Sequence, residues 1–485
     1  MKLEVLAKDI QPISVAGPRD PEILGVVCDS RHVRPGYLFV AVPGAKQDGG
    51  LFVEDAIERG AVAVVSENDA KFRKDVSHMR VADARLALAR LACVMNGEPT
   101  DQLQMVGVTG TNGKTTTAYM IRDILSADGR NPGLIGTVEY VVGARTIPAS
   151  RTTPDAPTIQ ALLAQMVAAG CRSAVMEVSS HALAQRRTAG IDYDVGIFTN
   201  LSRDHLDYHK TFEDYFEAKS LLFKGLGKGR KHAVAVVNID DPWGQKLARL
   251  PDLAADVLTY GLSVEATVRA EELELGPGGS TFRVRTTWGA AKVTTNLMGR
   301  FNVYNALAAI AACSALGTDL DVMVSALSSM AAVPGRLEEV KTGKNFQIFV
   351  DYAHTDDALE HVLRTLREIT KGRLVVVFGC GGNRDRTKRP VMGRIAAQGA
   401  DYSIVTSDNP RNEDPAQIIA EIREGFGNAS NVETLEDRAE AIKKAIDMAG
   451  KGDVVLIAGK GHENFQEFAN RSIPFDDRQV ARRYL

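Results

Sequence analysis

The chain predicts an α/β protein of three units, and three observations carry that expectation. Short apolar runs alternate with stretches of helical spacing along almost the whole sequence, the pattern of parallel sheets covered by helices. At 485 residues the chain is far longer than one hydrophobic core supports, and roughly 150 residues per unit suggests three. Polar breaks at Asn96-Gly-Glu-Pro-Thr-Asp101 and Val333-Pro-Gly-Arg336 divide it into residues 1–100, 101–333 and 334–485.

The first unit reads as a small α/β domain. Gly25-Val-Val-Cys28, Tyr37-Leu-Phe-Val-Ala-Val42 and Ala61-Val-Ala-Val-Val65 have strand character, while residues 52–59 and 82–95 carry helical spacing. Asp29-Ser-Arg31 and Pro43-Gly-Ala-Lys-Gln-Asp-Gly-Gly50 lie at strand ends, where turns and ligand loops use the same residue types. Composition alone favours turns there.

The central unit opens on Gln104-Met-Val-Gly-Val-Thr109, an apolar strand running into Gly110-Thr-Asn-Gly-Lys-Thr115 and a helix over 115–127. Glycines at a strand-to-helix turn let backbone N–H groups converge on an anion. Lys114 adds a charge for β/γ-phosphates, and Thr115 offers a hydroxyl to Mg²⁺. The usual phosphate-loop pattern is not fully met, because Val108 stands where its first glycine belongs; the strand before and helix after carry the reading.

Ala174-Val-Met-Glu-Val178 then places Glu177 in an apolar strand, which is costly unless the carboxylate is paired or bound to metal. Val195-Gly-Ile-Phe-Thr199 feeds Asn200-Leu-Ser-Arg-Asp-His-Leu-Asp-Tyr-His209, and carboxylate plus imidazole beside a phosphate loop reads as a Mg²⁺ site. A mostly parallel sheet of phosphate-loop type, with helices on both faces, is the expected frame.

Over residues 211–223, Phe212, Tyr215, Phe216, Leu222 and Phe223 recur at helical spacing, and Lys219 falls on the same stripe. Such a lysine can snorkel to an acidic neighbour, which periodicity favours. Alternatively its pKa falls on desolvation, and the neutral amine takes up CO₂ to become an anionic carbamate near Mg²⁺. Further on, Ser280-Thr-Phe-Arg-Val-Arg-Thr-Thr-Trp288 and Ala291-Lys-Val-Thr-Thr295 predict a hairpin. Gly299-Arg-Phe-Asn-Val-Tyr-Asn-Ala306 opens a helix whose Asn302 and Asn305 could cap it or hydrogen-bond a base.

The third unit reads as an open, Rossmann-like α/β sheet. Phe346-Gln-Ile-Phe-Val350, Arg373-Leu-Val-Val-Val-Phe378, Tyr402-Ser-Ile-Val-Thr406 and Asp453-Val-Val-Leu-Ile457 are apolar strands. They lead into Asp351-Tyr-Ala-His354, Gly379-Cys-Gly-Gly-Asn-Arg-Asp-Arg386, Asp408-Asn-Pro-Arg411 and Gly459-Lys-Gly-His-Glu463. Loops at the carboxyl ends of such strands form the ligand crevice, so these four should converge.

Composition excludes several function classes. A formal net charge of −3 argues against a general nucleic-acid or membrane binder. The five cysteines are scattered without a CxxC pair, so neither a disulfide framework nor a zinc site is suggested. The N-terminus has no apolar signal core and the Ala-rich run 306–316 is too short to span a bilayer, so a cytoplasmic enzyme without membrane insertion is expected.

Eight motifs occur in one order: Gly110–Thr115, Glu177-Val-Ser-Ser-His181, Asn200–Asp207, Tyr215–Lys219, Pro334-Gly-Arg336, Asp351–His354, Asp408–Arg411 and Gly459–Glu463. Together they resemble the Mur ligases of peptidoglycan synthesis, over nearly the whole chain, and most closely the step that adds the third residue of the stem peptide. Asp356 departs from the family's frequent proline, and Arg151 from a frequent asparagine.

The resemblance implies a three-domain Mur ligase architecture and an ATP-driven, amide-forming acid–amino-acid ligase. The implied substrates are ATP, UDP-N-acetylmuramoyl-L-alanyl-D-glutamate and meso-diaminopimelate, handled by a monomer. It implies ATP contacts from Gly110, Thr111, Asn112, Gly113, Lys114, Thr115, Thr116, Asn302, Arg336 and Asp351. Thr115, Glu177, His205 and a carbamylated Lys219 serve Mg²⁺, with Lys114, Glu177, His205 and Lys219 as the catalytic set. Ser30, Lys46, Gln47, Thr152, Thr153, Ser179, Gln185 and Arg187 would hold the nucleotide-sugar dipeptide. Arg384, Asp408, Asn409, Pro410, Arg411, Gly459 and Glu463 would hold diaminopimelate.

That amino acid differs from lysine by a second carboxylate, which a guanidinium such as Arg411 recognises. Lysine-adding relatives usually lack this arginine. The rival readings are a lysine-adding ligase, the ligase adding D-Ala-D-Ala, folylpolyglutamate synthetase, and a nucleotide-dependent module that binds cell-wall precursors without turnover.

Overall fold

The computed structural model describes residues 1–18, 20–44, 48–68 and 73–485. Three sheets and one small hairpin organise these residues. In the N-terminal sheet the strand order is Ser14–Ala16, Ser77–Arg80, Ala61–Ser66, Tyr37–Val40, Gly25–Val27, all parallel except the first. Leu3–Ile10 and Ala84–Met95 pack into the core of one face, and Val53–Glu58 into that of the other. The helix Leu3–Ile10 is absent from the sequence reading, and it buries only Leu3 and Leu6, too few positions to establish a period.

Seven parallel strands form the middle of the eleven-stranded central sheet, in the order Val268–Gly276, Asp256–Gly261, Val234–Asn238, Val195–Phe198, Gln104–Thr109, Ser173–Glu177, Pro132–Ile135. Both edges turn antiparallel, through Gly279–Thr286 and Gly289–Thr295 beyond Val268–Gly276 on one side and Glu139–Val142 and Arg145–Pro148 on the other. The expected hairpin is therefore two strands of a larger wing. Burial explains the difference: Ser173–Glu177 is buried at every position, whereas Gly279–Thr286 alternates between buried and exposed, as a sheet with one wet face must.

Helices Lys114–Ala127 and Arg300–Ala315 cover one face of this sheet, and Ala156–Ala168 and Phe212–Gly225 the other. Arg300–Ala315 is buried continuously from Asn305 to Cys313, which its run of alanines permits by allowing close approach on all sides.

In the C-terminal sheet the order is Glu338–Val340, Gln347–Asp351, Val454–Ala458, Leu374–Phe378, Tyr402–Val405, Val432–Thr434, parallel except for the first strand. The last strand in sequence, Val454–Ala458, inserts between the second and the fourth. That reversal opens a crevice at the carboxyl ends of Gln347–Asp351, Leu374–Phe378 and Val454–Ala458.

Behind the crevice Arg438 and Asp477, both without solvent exposure, form a bidentate pair at 2.8 Å through Nε and Nη2. Arg438 Nη2 also donates to Ala458 O at 2.9 Å. Arg438→Met should cost about 3–5 kcal/mol, because Asp477 is left charged and buried without a partner. The double variant with Asp477→Leu should recover most of that loss. Urea midpoints at constant m-value check both, and a single variant as stable as the parent would refute the expectation.

Candidate active site

The strand Gln104–Thr109 ends at Gly110, whose φ of 148° and lack of a Cβ are required: a Cβ there would lie 1.8 Å from Thr199 Oγ1. Gly113, at φ 86°, precedes the helix Lys114–Ala127, and a Cβ on it would meet Asn305 Oδ1 at 2.4 Å. The loop thus bends where the sequence predicts, with Lys114 Nζ folded back on Gly110 O and Thr111 O at 3.0 and 2.8 Å.

Glu177, at the carboxyl end of Ser173–Glu177, is fully buried. It accepts from Thr137 N at 2.7 Å, Thr137 Oγ1 at 2.9 Å and Thr115 Oγ1 at 3.0 Å. No cation among the described residues lies within ion-pairing distance of it. A buried carboxylate held only by neutral donors beside a phosphate loop is a fit for Mg²⁺. Among the described residues no three His, Cys, Asp or Glu side chains gather as a cage. That also suits Mg²⁺, which takes one or two carboxylates and completes its shell with phosphate oxygens and water.

Lys219 is 1% exposed, and its Nζ donates to Gly110 O at 2.7 Å and lies 4.4 Å from the centre of the Tyr215 ring. No carboxylate lies within ion-pairing distance among the described residues, so the snorkelling that periodicity favours is corrected: the amine ends inside the protein, without an acid. Burial first and Lys114 second push its pKa well below that of an ordinary lysine, against the weaker pull of Asp204.

His205 adopts a left-handed φ of 55° and approaches Asp204 at 3.3 Å, and burial pushes its pKa down to about 3. Asp204 loses stability as an anion by burial, yet His205, His354, Lys388 and Lys114 hold it below the usual carboxylate range.

One cavity of about 320 Å³ is lined by Lys114, Glu177, His205 and Lys219 from the central sheet and by Arg336, Arg384, Asp408, Asn409, Arg411, Gly459 and Glu463 from the C-terminal part. All four carboxyl-end loops of the C-terminal sheet reach it, as expected. Pro410 is buried behind the loop and does not line it; its carbonyl backs Gly382, where a Cβ would approach to 1.9 Å. Contacts across the two parts are direct. Asn112 Nδ2 and Ser202 Oγ donate to Asp357 Oδ2 at 2.6 and 2.9 Å, and Arg336 Nη2 donates to Thr115 Oγ1 at 2.9 Å.

An adjoining cavity of about 380 Å³ shares Asn112, Gly113, Arg336 and Asp351 with the first and adds Thr116, Tyr260, Phe301, Asn302 and Asn305. Neither asparagine caps its helix, whose N-cap is Gly299. They bond each other at 3.0 Å, and Asn302 Nδ2 donates to Met298 O at 2.8 Å. Asp351 stands in the wall common to both cavities, accepting from Leu337 N and Ala353 N at 2.7 Å each.

A third cavity, about 560 Å³, lies between the N-terminal and central parts and is lined by Ser30, Gln185 and Arg187 together with Arg31, Arg85 and Arg151. Thr152 and Ser179 line the Lys114 cavity instead, so consecutive residues Arg151 and Thr152 bridge the two. Thr153 is buried, accepting from Ser179 N and donating to Glu177 O, a supporting position and not a lining one. Lys46 and Gln47 lie outside the described residues. Sequence reasoning missed Thr137 and Lys388, and it covered Asp204 and Tyr352 only as members of their motifs; all four are on the Lys114 cavity wall. Lys388, buried with its Nζ on His354 O at 2.7 Å, sits in a charged stretch that reads as solvated surface.

Residues 22–94 match the Mur ligase family catalytic domain, 108–313 the Mur ligase middle domain and 335–461 the Mur ligase glutamate ligase domain. The UDP-N-acetylmuramoyl-L-alanyl-D-glutamate--2,6-diaminopimelate ligase of Geobacillus thermodenitrificans is 48% identical over 487 residues, covering 99% of each chain. That of Geobacter sulfurreducens is 45% identical over 501 residues, covering 99% of this chain and 98% of its own. A solved structure of a ligase with the same name superposes at TM-score 0.69 with 35% identity over 98% of both chains. MurF from Acinetobacter baumannii shares the fold at TM-score 0.68 and 22% identity, covering 94% of this chain and 95% of its own.

Proposed function

Since the chain belongs to the Mur ligase family, with its three-domain architecture, we propose that it joins meso-2,6-diaminopimelate to the D-glutamate γ-carboxylate of UDP-N-acetylmuramoyl-L-alanyl-D-glutamate at the expense of ATP. The single observation that carries this reading is the shared cavity. Lys114 and Lys219 of the central part and Arg411 of the C-terminal part line one hollow. We place the domain boundaries near residues 100 and 333.

The reaction proceeds in two displacements. The γ-carboxylate attacks the γ-phosphorus of ATP and ADP leaves, giving an acyl phosphate; the amine of diaminopimelate then attacks the acyl carbon, the acyl C–O bond breaks with phosphate as leaving group, and the nitrogen gives up a proton to leave the amide. Carboxylate and triphosphate repel each other in water, so the protein's share is positioning and neutralisation. Lys114 and the loop amides hold phosphate oxygens, with the base in the Asn302–Tyr260 cavity and Arg336 and Asp351 at its rim. Thr115, Glu177, His205 and Lys219, the last as a carbamate, would hold Mg²⁺, which supplies charge neutralisation of the phosphates. Ser30 takes the nucleotide end of the precursor, and Thr152, Ser179, Gln185 and Arg187, which span the two cavities, take its muramoyl dipeptide.

Arg384 and Arg411 face the distal carboxylate of the amino acid, and Asp408 and Glu463 its ammonium. Burial raises the pKa of the Glu463 carboxyl, while Lys460 at 3.0 Å and Asn409 at 2.8 Å oppose that rise and fix its Oε2. ADP formation that depends on the precursor, with phosphate and UDP-tripeptide appearing only when diaminopimelate is also present, is the expected result of a reconstituted assay. ATP consumption indifferent to both co-substrates would refute the assignment.

A further inference from the structure

The hairpin Phe465–Phe468/Arg471–Pro474 supports the loop Asp408-Asn-Pro-Arg411 along its length. Gln466 Nε2 donates to Asp408 O at 2.8 Å, Glu467 N to Asn409 Oδ1 at 3.0 Å, and Arg411 N to Glu467 O at 3.0 Å. Arg411 has a φ of 52°, a left-handed conformation that a residue with a Cβ keeps only when its surroundings impose it.

Its side chain is held as tightly as its backbone. Arg411 Nε donates to Glu467 Oε2 at 2.9 Å and Nη1 donates to Gly382 O at 2.8 Å. Gly381 makes the room, since a Cβ there would lie 2.9 Å from Nη1. A guanidinium has five N–H groups. Two are committed here, at Nε and on Nη1, and the edge formed by Nη2 and the second Nη1 hydrogen has no partner among the described residues. That edge is the one able to grip a carboxylate with two parallel hydrogen bonds.

We infer that Glu467 is a positioning residue for amino-acid selection: by holding Nε it sets the plane of the Arg411 guanidinium, so that the open edge meets the distal carboxylate of the incoming diamino acid. The inference rests on the functional reading above. Glu467 is 45% exposed in its side chain, so water and salt screen its charge, and orientation is its main effect.

Steady-state phosphate release with meso-diaminopimelate varied, at saturating ATP and precursor, tests this on the full-length enzyme. Glu467→Ala should raise the KM for diaminopimelate about tenfold, the factor for one hydrogen bond to a charged group, and leave the KM for ATP unchanged. Glu467→Gln keeps an acceptor for Nε–H and should restore most of the loss. An unaltered diaminopimelate KM in Glu467→Ala, an equal rise in the ATP KM, or a lower diaminopimelate KM in either variant would overturn the inference. An unaltered enzyme that turned over lysine and not diaminopimelate would sink the functional reading, and this inference with it.

Discussion

Lys219→Ala is expected to lower turnover by about 10²–10³-fold, the usual cost of losing one preorganised charge at a reacting centre. Short carboxylates such as formate should return part of it. The reasoning starts from an ammonium that has nowhere to put its charge: Nζ has one carbonyl at 2.7 Å, an aromatic face and the positive field of Lys114. Burial therefore favours the neutral amine, and a neutral amine adds CO₂. A carbamate on Lys219 would reverse the sign of the group, turning repulsion from Lys114 into attraction and supplying anionic oxygens to the cavity that Thr115 and Glu177 also line. The alanine variant strands no buried acid, and Gly110 O keeps Lys114 as donor at 3.0 Å, so its thermal midpoint should stay near the parent's. Full activity in Lys219→Ala would dispose of the carbamate. Inactivity without any response to added carboxylates would point to a purely structural loss.

What was legible in the sequence was local. The turn at Gly110–Lys114, the acid in the strand at Glu177 and the lysine on the stripe at Lys219 each break a rule of composition within one element, and each lies at the cavity. What was illegible depended on partners distant in sequence. Lys219 reads as snorkelling until the absence of a nearby carboxylate is seen, and no spacing reveals an absence. Thr137 is an ordinary threonine until its N–H and hydroxyl are found on Glu177. The antiparallel edge formed by Glu139–Val142 and Arg145–Pro148 escaped because its strands are four residues each and the outer one buries no residue. The contacts Asn112–Asp357 and Arg336–Thr115 join residues more than two hundred positions apart, and only the docking of the two sheets creates them.

Arg411→Ala is expected to lower kcat/KM for diaminopimelate by about 10²-fold or more while leaving that for lysine nearly unchanged, because a bidentate charge pair is lost with one substrate and never existed with the other. Selectivity therefore collapses from one side. A site that binds a substrate group by hydrogen bonds rejects the analogue lacking it far better than an apolar pocket rejects a missing methylene, so the unaltered enzyme should use lysine poorly. The variant should fold normally: Glu467, its former partner, is partly exposed and finds water, and Gly382 O loses one donor at a loop. The KM for ATP should also hold, since Lys114 and the Asn302 cavity belong to the central part and touch the C-terminal loops through Asp357 and Arg336, not through Arg411. Competition between the two amino acids for one enzyme preparation gives the ratio directly. Equal use of lysine by the unaltered enzyme would show that the guanidinium selects nothing. A proportional loss for both substrates in Arg411→Ala would mean that it shapes the loop without reading the carboxylate.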